Sequence, residues 1–440
     1  MMMSNLVCYL DFNDNFDIPE KHEKCSYDIQ NNNYASYFEG HIFKTGAKSV
    51  LNEMYNFPEF FNYKALDLYY ISVFIYYADC KFPRSDSFDN WKRDINIYVP
   101  VLNYRLWEEN KNLLEKMINF LTGDKWTIIF RKRELSTHEL KLSEKFAKKS
   151  LFDYDKKTQK KVTMLSGGLD SFIGAVDNLE RSKDMLFVSY YDKASLSTLL
   201  KIQDILANQY KINKNLFYNF YLSVKKRKEN TTRSRSLLFF STAVLIGSTY
   251  DSTNLIIPEN GFISLNVPLV PYRSGSNSTR TTHPLYMNYF NDLLKSIKIN
   301  ITMANPYQFK TKGRMMIECK NQKLLINYAK DTMSCSHPKV TRFYKEPAMN
   351  CGYCLPCIVR KGAFKKSKIK DDKYLGDKHD IKKLKINLDT YKRGIYEFDT
   401  KDYHATTVIK NGRLPGSVEK YISVYTEGMK EIKEVIKEMK

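Results

Sequence analysis

The chain runs to 440 residues, 43% hydrophobic and 27% charged; this excludes disordered and fibrous classes, and the length exceeds the ~250–300 residues of one core, so two or three domains are expected. Seventy Lys and Arg against 49 Asp and Glu leave a net charge of +21, which attracts phosphate-rich partners such as nucleotides or nucleic acid, although lysines spread along the whole chain read first as solvated surface. The most apolar stretches, Ala65–Ala78 and Leu237–Gly247, fall short of the ~18–20 uncharged residues of a spanning helix, and the opening carries no basic-then-apolar leader, so no membrane contact and a cytoplasmic location are expected.

Residues 1–155 begin with an Asn/Asp-rich stretch. A helical period follows near Phe60–Tyr77, then an alternating strand over Asp94–Pro100, a helix near Leu106–Leu121 and a strand over Trp126–Arg131. This predicts an N-terminal α+β domain in which no chemistry declares itself. The polar, lysine-rich segment Leu142–Lys161 reads as a link to the next region.

From Lys161 the pattern changes. Short β-rich runs at Val162–Leu165, Leu186–Tyr191, Leu216–Leu222, Leu255–Ile257 and Ile299–Met303 alternate with helical segments at Phe172–Glu180, Ser195–Tyr210, Ser236–Thr249 and Leu285–Ile297. Such alternation predicts βαβ units and a parallel sheet with helices on both faces, whose ligands bind at the carboxyl ends of the strands. The expected units are 1–155, 156–365 and 366–440, the last a C-terminal extension packed on the core and ending in an amphipathic helix, Val418–Lys440.

Between the first strand and first helix of the middle unit stands Ser166-Gly167-Gly168-Leu169-Asp170-Ser171. Glycines let backbone N–H groups approach an anion while the following helix aims its positive end at the same spot. Ser166 and Ser171 add hydroxyls, and Asp170 can hold a magnesium ion that bridges phosphate oxygens. No lysine closes the loop, so it is not the GxxxxGK[ST] type. The plain alternative is a strand-turn-helix with Ser171 as a cap. The hexapeptide resembles the loop of the PP-loop ATP pyrophosphatases, a group that includes asparagine synthetase, GMP synthetase and several RNA thiolases. That resemblance implies an adenine nucleotide alpha hydrolase-like fold, cleavage of ATP to AMP and pyrophosphate, and a substrate activated as its adenylate.

Four of the eight cysteines stand alone, whereas Cys335, Cys351, Cys354 and Cys357 fall in one short segment. Four thiolates, three of them in a tight knuckle with Gly352 easing the turn, suit a closed tetrahedral Zn2+ site of structural type. A four-cysteine iron–sulfur cluster is the alternative, with nothing else here to favour electron transfer. His337 can replace one ligand, or stand as a surface histidine.

The segment Thr332-Met333-Ser334-Cys335, and then Cys351-Gly352-Tyr353-Cys354-Leu355-Pro356-Cys357 followed by Arg360 and Phe364, resembles the C-terminal zinc signature of the 7-cyano-7-deazaguanine synthases, the QueC family. Thr311-Lys312 resembles the threonine-lysine element of the same family. The resemblance spans about Lys161 to Phe364 and implies ATP-dependent activation of the carboxylate of 7-carboxy-7-deazaguanine, then transfer to ammonia. The gap between the first two cysteines is longer than the family's, and the family lacks an N-terminal region of about 155 residues.

After the strand Leu255–Ile257, the chain reads Pro258-Glu259-Asn260-Gly261 and later Thr279-Arg280-Thr281-Thr282-His283-Pro284, where the biosynthetic enzymes carry a Tyr-Pro-Asp-Cys-Arg element. These patterns look more like the QueC-like proteins of bacterial anti-phage operons, such as the QatC component of Qat systems. The candidate pocket is therefore Glu259, accepting from an amino-pyrimidine edge, Asn260, Arg280 holding a carboxylate or phosphate, and His283 as base or donor. Arg235 and Lys312 are candidates for ATP phosphates, and Asp170, Ser171, Lys312 and Arg280 for catalysis. The plain readings are a turn at Asn260-Gly261 and a helix start at His283-Pro284. The expected activity is an AMP-forming carbon–nitrogen ligase using ATP, Mg2+ and Zn2+ on a deazaguanine-like base. Its acceptor is ammonia, or a protein or nucleic acid presented by the N-terminal region, within a defence operon. The rivals are an RNA-modifying thiolase and a binding subunit that has lost catalysis.

Overall fold

The computed structural model describes residues 3–10, 14–26, 38–41, 57–150, 159–191, 194–224, 227–230, 233–269, 280–371, 374–402 and 404–439. They form two sheets in which parallel strands are covered by helices on both faces, as the alternation of patterns demands.

The first sheet is built from β1 (Ser4–Tyr9), β2 (Glu23–Ser26), β4 (Asp94–Val101) and β5 (Lys125–Lys132) in the order β2-β1-β4-β5. Every pairing in it is parallel, so this region is α/β where an α+β mixture was expected. α2 (Tyr104–Thr122) makes the crossover from β4 to β5, while α1 (Tyr63–Lys81) precedes β4 and α3 (Thr137–Ser150) follows β5 on the way to the second sheet. The strands β1 and β2 arise from the polar opening that displayed no strand pattern. The segment read as a link begins inside α3, started by the reciprocal pair Ser136 and Glu139: Glu139 N–H donates to Ser136 Oγ at 3.2 Å and Ser136 N–H to Glu139 Oε2 at 2.8 Å. Residues 151–158 of that segment lie outside the described ones.

The second sheet holds β6 (Lys161–Met164), β7 (Met185–Tyr190), β8 (Phe217–Val224), β9 (Asn254–Ile256) and β10 (Thr302–Ala304), with β3 (Phe38–His41) as an antiparallel edge on β8. The strand order is β10-β9-β6-β7-β8-β3. Chain progress runs one way from β6 to β8 and then reverses to β9, so the crevice between the ends of β6 and β9 is the switch point where such sheets bind ligands. The connecting helices are α4 (Leu169–Leu179), α5 (Leu196–Tyr210), α6 (Arg235–Ser248), the short α7 (Gly261–Ser264) and α8 (Pro284–Ser296). After β10 the chain is helical: α9 (Lys312–Ile317), α10 (Gln322–Tyr328), α11 (Leu355–Ser367), α12 (Leu375–Lys378), α13 (Lys382–Thr400), α14 (His404–Ile409) and α15 (Val418–Ile436).

The two sheets are joined by α1, and also by α2 packing on α8. From Ala65 to Lys81 every residue of α1 is buried, because it lies between β4 of the first sheet and α6 of the second. A continuous apolar core therefore runs from Leu6, Ile97 and Trp107 to Val188, Phe220, Leu245 and Phe290. At its polar end, Arg93 Nη2 pairs with Asp79 Oδ1 and Asp124 Oδ2, each at 2.6 Å, and Arg84 pairs with Asp124 at 2.7 Å. The other oxygen of Asp79 accepts from Arg233 N, Ser234 N and Ser234 Oγ at 2.8–2.9 Å, tying the end of α1 to the start of α6. The opposite face of the second sheet carries its own core of Leu165, Ile173, Phe187 and Leu199 with Met316 and Phe364. A third core packs α15 on Phe262, Ile358 and Leu388. Among the described residues no helix is long and apolar enough to cross a membrane.

Candidate functional site: a phosphate loop beside a buried acid pair and a four-cysteine cluster

The loop after β6 is shaped by contacts of its own residues. Gly167 has φ of +78°, which favours glycine, and a Cβ there would lie a tight 3.2 Å from the Leu199 Cα. Gly168 has an ordinary φ of −82° and is the N-cap of α4. Ser171 is not that cap; its hydroxyl donates to Gly168 O at 3.0 Å and accepts from Ser166 N–H at 3.1 Å, locking the turn. The Ser166 hydroxyl accepts from Gly168 N–H at 3.3 Å. The strip before the first clustered cysteine lies against the loop: Met333 N–H donates to Gly167 O at 2.9 Å, and Leu169 N–H points at Ser334 Oγ at 3.5 Å.

Asp170, in the first turn of α4, is buried and faces the residues that follow β9. Asn260 Nδ2 donates to Asp170 Oδ2 at 2.7 Å and to Glu259 Oε1 at 3.1 Å, and Asn260 N–H approaches Asp170 Oδ2 at 3.3 Å. Asn260 also caps α7, its Oδ1 accepting from Ile263 N–H at 3.0 Å, so the turn reading and the site reading of this residue hold together. Lys312, only 5% exposed in its side chain, brings its Nζ to 3.3 Å from Asp170 Oδ1. That oxygen is buried and has no hydrogen bond. Burial opposes ionisation of Asp170, yet the Lys312 ammonium and hydrogen bonds from Glu259 and Asn260 hold its carboxyl below the usual range. Burial, the Asp170 charge and the hydrogen bond to it push Glu259 well above its usual range. The two buried carboxyls are thus pushed in opposite directions, Asp170 toward its charged form and Glu259 toward its neutral form. The oxygen without a hydrogen bond, Asp170 Oδ1, is the one that the Lys312 ammonium faces.

The remaining candidates are placed differently. Arg235 is exposed in the first turn of α6, its guanidinium 5.4 Å from the Phe239 ring; that ring stacks on Tyr190 at the carboxyl end of β7, with centroids 4.3 Å apart. Arg280 turns to α2, donating to Phe120 O at 2.6 Å with its guanidinium 4.5 Å from the Phe120 ring. His283 is fully buried, meets the Phe120 ring at 5.2 Å, and caps α8 by accepting from Leu285 N–H through Nδ1 at 3.2 Å. Burial and the nearby Arg280 lower its pKa to about 3. The structure therefore brings Asp170, Glu259, Asn260 and Lys312 together beside Ser166–Ser171, and turns Arg280 and His283 toward the first sheet's helix. Thr279 lies outside the described residues.

The Sγ atoms of Cys335, Cys351, Cys354 and Cys357 all lie within 4.8 Å of one another. Cys351 to Cys357 is 3.8 Å and Cys354 to Cys335 is 3.9 Å, close to the ~3.8 Å edge of a tetrahedron with zinc–sulfur bonds of ~2.3 Å. Backbone N–H groups of His337, Cys351 and Cys354 point at sulfurs at 3.2–3.4 Å, as thiolate ligands require. Gly352, at φ +90°, makes the knuckle turn. The hydrogen bond between Cys354 and Cys335 lowers Cys354 to about 6, and hydrogen bonds with Cys351 and Cys354 raise His337 to about 10. These four residues can hold zinc. Arg360, fully buried, anchors the cluster to the loop strip by donating to Thr332 Oγ1 at 2.6 Å and pairing with Asp371 at 2.9 Å.

The chain is 25% identical over 223 residues, half of its length and 84% of the other's, to a 7-cyano-7-deazaguanine synthase of Methanococcus aeolicus. No protein-family model matches it. With the α/β fold and the four-cysteine cluster, this distant similarity supports a QueC-like, ATP-using PP-loop enzyme of ligase type.

Proposed function

We propose that the chain adenylates the carboxylate of a 7-deazaguanine-type base and passes the acyl group to an amine. The supporting observation is the meeting, at the switch point, of the Ser166–Ser171 loop with Asp170, Glu259, Asn260 and Lys312. A carboxylate is a poor electrophile, so its oxygen first attacks the α-phosphorus of ATP and expels pyrophosphate; the amine then attacks the acyl carbon and AMP departs. The loop N–H groups and the start of α4 hold the leaving pyrophosphate. Asp170, and Glu259 on giving up its proton, would hold magnesium, which when bound would offset charge on the phosphates. Lys312 balances the charge that grows at the α-phosphate, and Asn260 fixes the two carboxyls.

In this reading residues 156–365 carry the chemistry, 1–155 and 366–440 brace it, and the acceptor is ammonia or a macromolecule. The Glu259-Asn260-Gly261 and Arg280–Pro284 patterns support a defence-operon enzyme. An RNA thiolase would need an accessible sulfur carrier, but Cys8, Cys25, Cys80 and Cys319 are all buried, and burial raises Cys80 and Cys319 to about 12.

The test supplies labelled ATP, magnesium and 7-carboxy-7-deazaguanine, with and without ammonia, and follows nucleotide products and the mass of the base. AMP and pyrophosphate that appear only with the base are expected. Intact ATP, or cleavage indifferent to the base, would overturn the reading and leave a binding subunit in its place.

A further inference from the structure

We propose that Glu431, on the last long helix, is a positioning residue for Lys312, so that the C-terminal extension sets the cation of the phosphate site. The inference rests on the reading of the loop and the acid–lysine cluster as an ATP site. Glu431 is 8% exposed, and its carboxylate is enclosed by groups on either side of Lys312. The Thr311 hydroxyl donates to Oε1, and Gly313 N–H approaches Oε2 at 3.4 Å. Thr311 is the N-cap of α9, its Oγ1 accepting from Arg314 N–H at 3.2 Å. The carboxylate thus grips the backbone before and after Lys312, whose side chain runs to Asp170 at 3.3 Å.

Two further features indicate a built contact. A Cβ on Gly313 would lie 2.9 Å from Glu431 Oε1 and 2.8 Å from Lys366 Cδ, so an alanine there would displace the ends of both side chains. Lys366 Nζ pairs with Glu431 at 2.9 Å and also with Glu427, compensating a charge that would be costly to bury alone. Packing by itself would be better served by an apolar side chain, which makes the hydrogen bonds to Thr311 and Gly313 the reason for a carboxylate. The same helix reaches the other half of the site: a Cβ on Gly428 would lie 2.3 Å from the Phe262 ring, and one on Gly261 3.2 Å from Val424 Cγ2. α15 therefore leans on the residues after Glu259-Asn260 as well as on those around Lys312.

The test uses full-length Glu431→Ala, Glu431→Gln and Gly313→Ala proteins. Three quantities are read: the thermal midpoint, the affinity for α,β-methylene-ATP with magnesium, and the rate at which an amine-directed acylating reagent modifies Lys312, by peptide mass. In Glu431→Ala, release of Lys312 should raise its acylation rate about tenfold and weaken the analogue about tenfold, whereas Glu431→Gln, whose amide oxygen still accepts from Thr311, stays within about threefold of the parent. Unchanged Lys312 acylation in a folded Glu431→Ala protein overturns the proposal. Should that variant not fold, Gly313→Ala, which crowds the carboxylate off its seat, decides by the same measure. Faster acylation with unchanged analogue affinity would uphold the positioning and overturn the ATP reading beneath it.

Discussion

Asp170 and His283 show how differently two buried titratable groups serve one molecule. Asp170, whose carboxyl is held below its usual range, is hydrogen-bonded by Asn260 at 2.7 Å and paired with Lys312. Asp170→Asn keeps the shape and removes the charge, so pyrophosphate release should fall by about a hundredfold or more while the circular dichroism spectrum is retained. Turnover near the parent's in the folded variant would remove Asp170 from the chemistry. His283 is held neutral, its pKa lowered to about 3 by burial and Arg280. A depressed folded value means that its contribution to stability is present above its unfolded value of 6.5 and is lost as pH falls toward 3. The parent should therefore lose up to about 1.4 kcal/mol per pH unit through this group across that window. His283→Asn, which can still accept from Leu285 N–H, should lose stability less steeply. Parallel denaturation curves for the two proteins at each pH would contradict this account.

Among the elements, the cysteine knuckle and the phosphate loop are one mechanical piece. The strip Thr332–Ser334 leads into Cys335 and rests on the loop through the Met333 N–H bond to Gly167 O of 2.9 Å, while Arg360 of α11 holds Thr332. Stripping the metal with a strong chelator should melt the knuckle, since a structural zinc site contributes about 10 kcal/mol or more of apparent binding energy that is also folding energy. The expected readouts are a lower thermal midpoint and weaker ATP binding, both restored by zinc. A chelated protein with full ATP affinity would show that the strip does not depend on the cluster. The knuckle itself was legible in the spacing of Cys335, Cys351, Cys354 and Cys357, because ligand chemistry restricts residue type. The extent of α3 was less so, since lysine-rich helices and lysine-rich links share a composition; its start was marked by Ser136 and Glu139.

For the whole molecule, the first and second sheets meet through α2 on α8 and through α1 with its terminal Asp79. This carboxylate accepts three hydrogen bonds from Arg233 and Ser234 at the start of α6, immediately before Arg235, and pairs with Arg93 at 2.6 Å. Asp79→Ala takes one of two carboxylates from Arg93 and strips the acceptor from the buried backbone donors of Arg233 and Ser234, so a loss of about 3–5 kcal/mol in unfolding free energy is expected in a denaturant titration. A loss below about 1 kcal/mol would mean that the junction is solvated and the two sheets are energetically independent. None of this junction was visible in advance, because Asp79, Arg93, Asp124 and Ser234 are separated along the chain and each reads as a surface residue.

The chain's own order of residues determined the alternation of strands and helices, the hexapeptide turn and the four-thiol cluster. Periodicity, the φ of +78° at Gly167 and ligand chemistry are each satisfied within a few neighbouring residues. Only the tertiary structure decided which distant groups share a site. It brought Glu259 and Asn260 to Asp170 across the gap between β9 and β6, and set Glu431 behind Lys312. It also turned Arg280 and His283 onto Phe120, because strand order and helix packing, rather than spacing along the chain, fix those contacts.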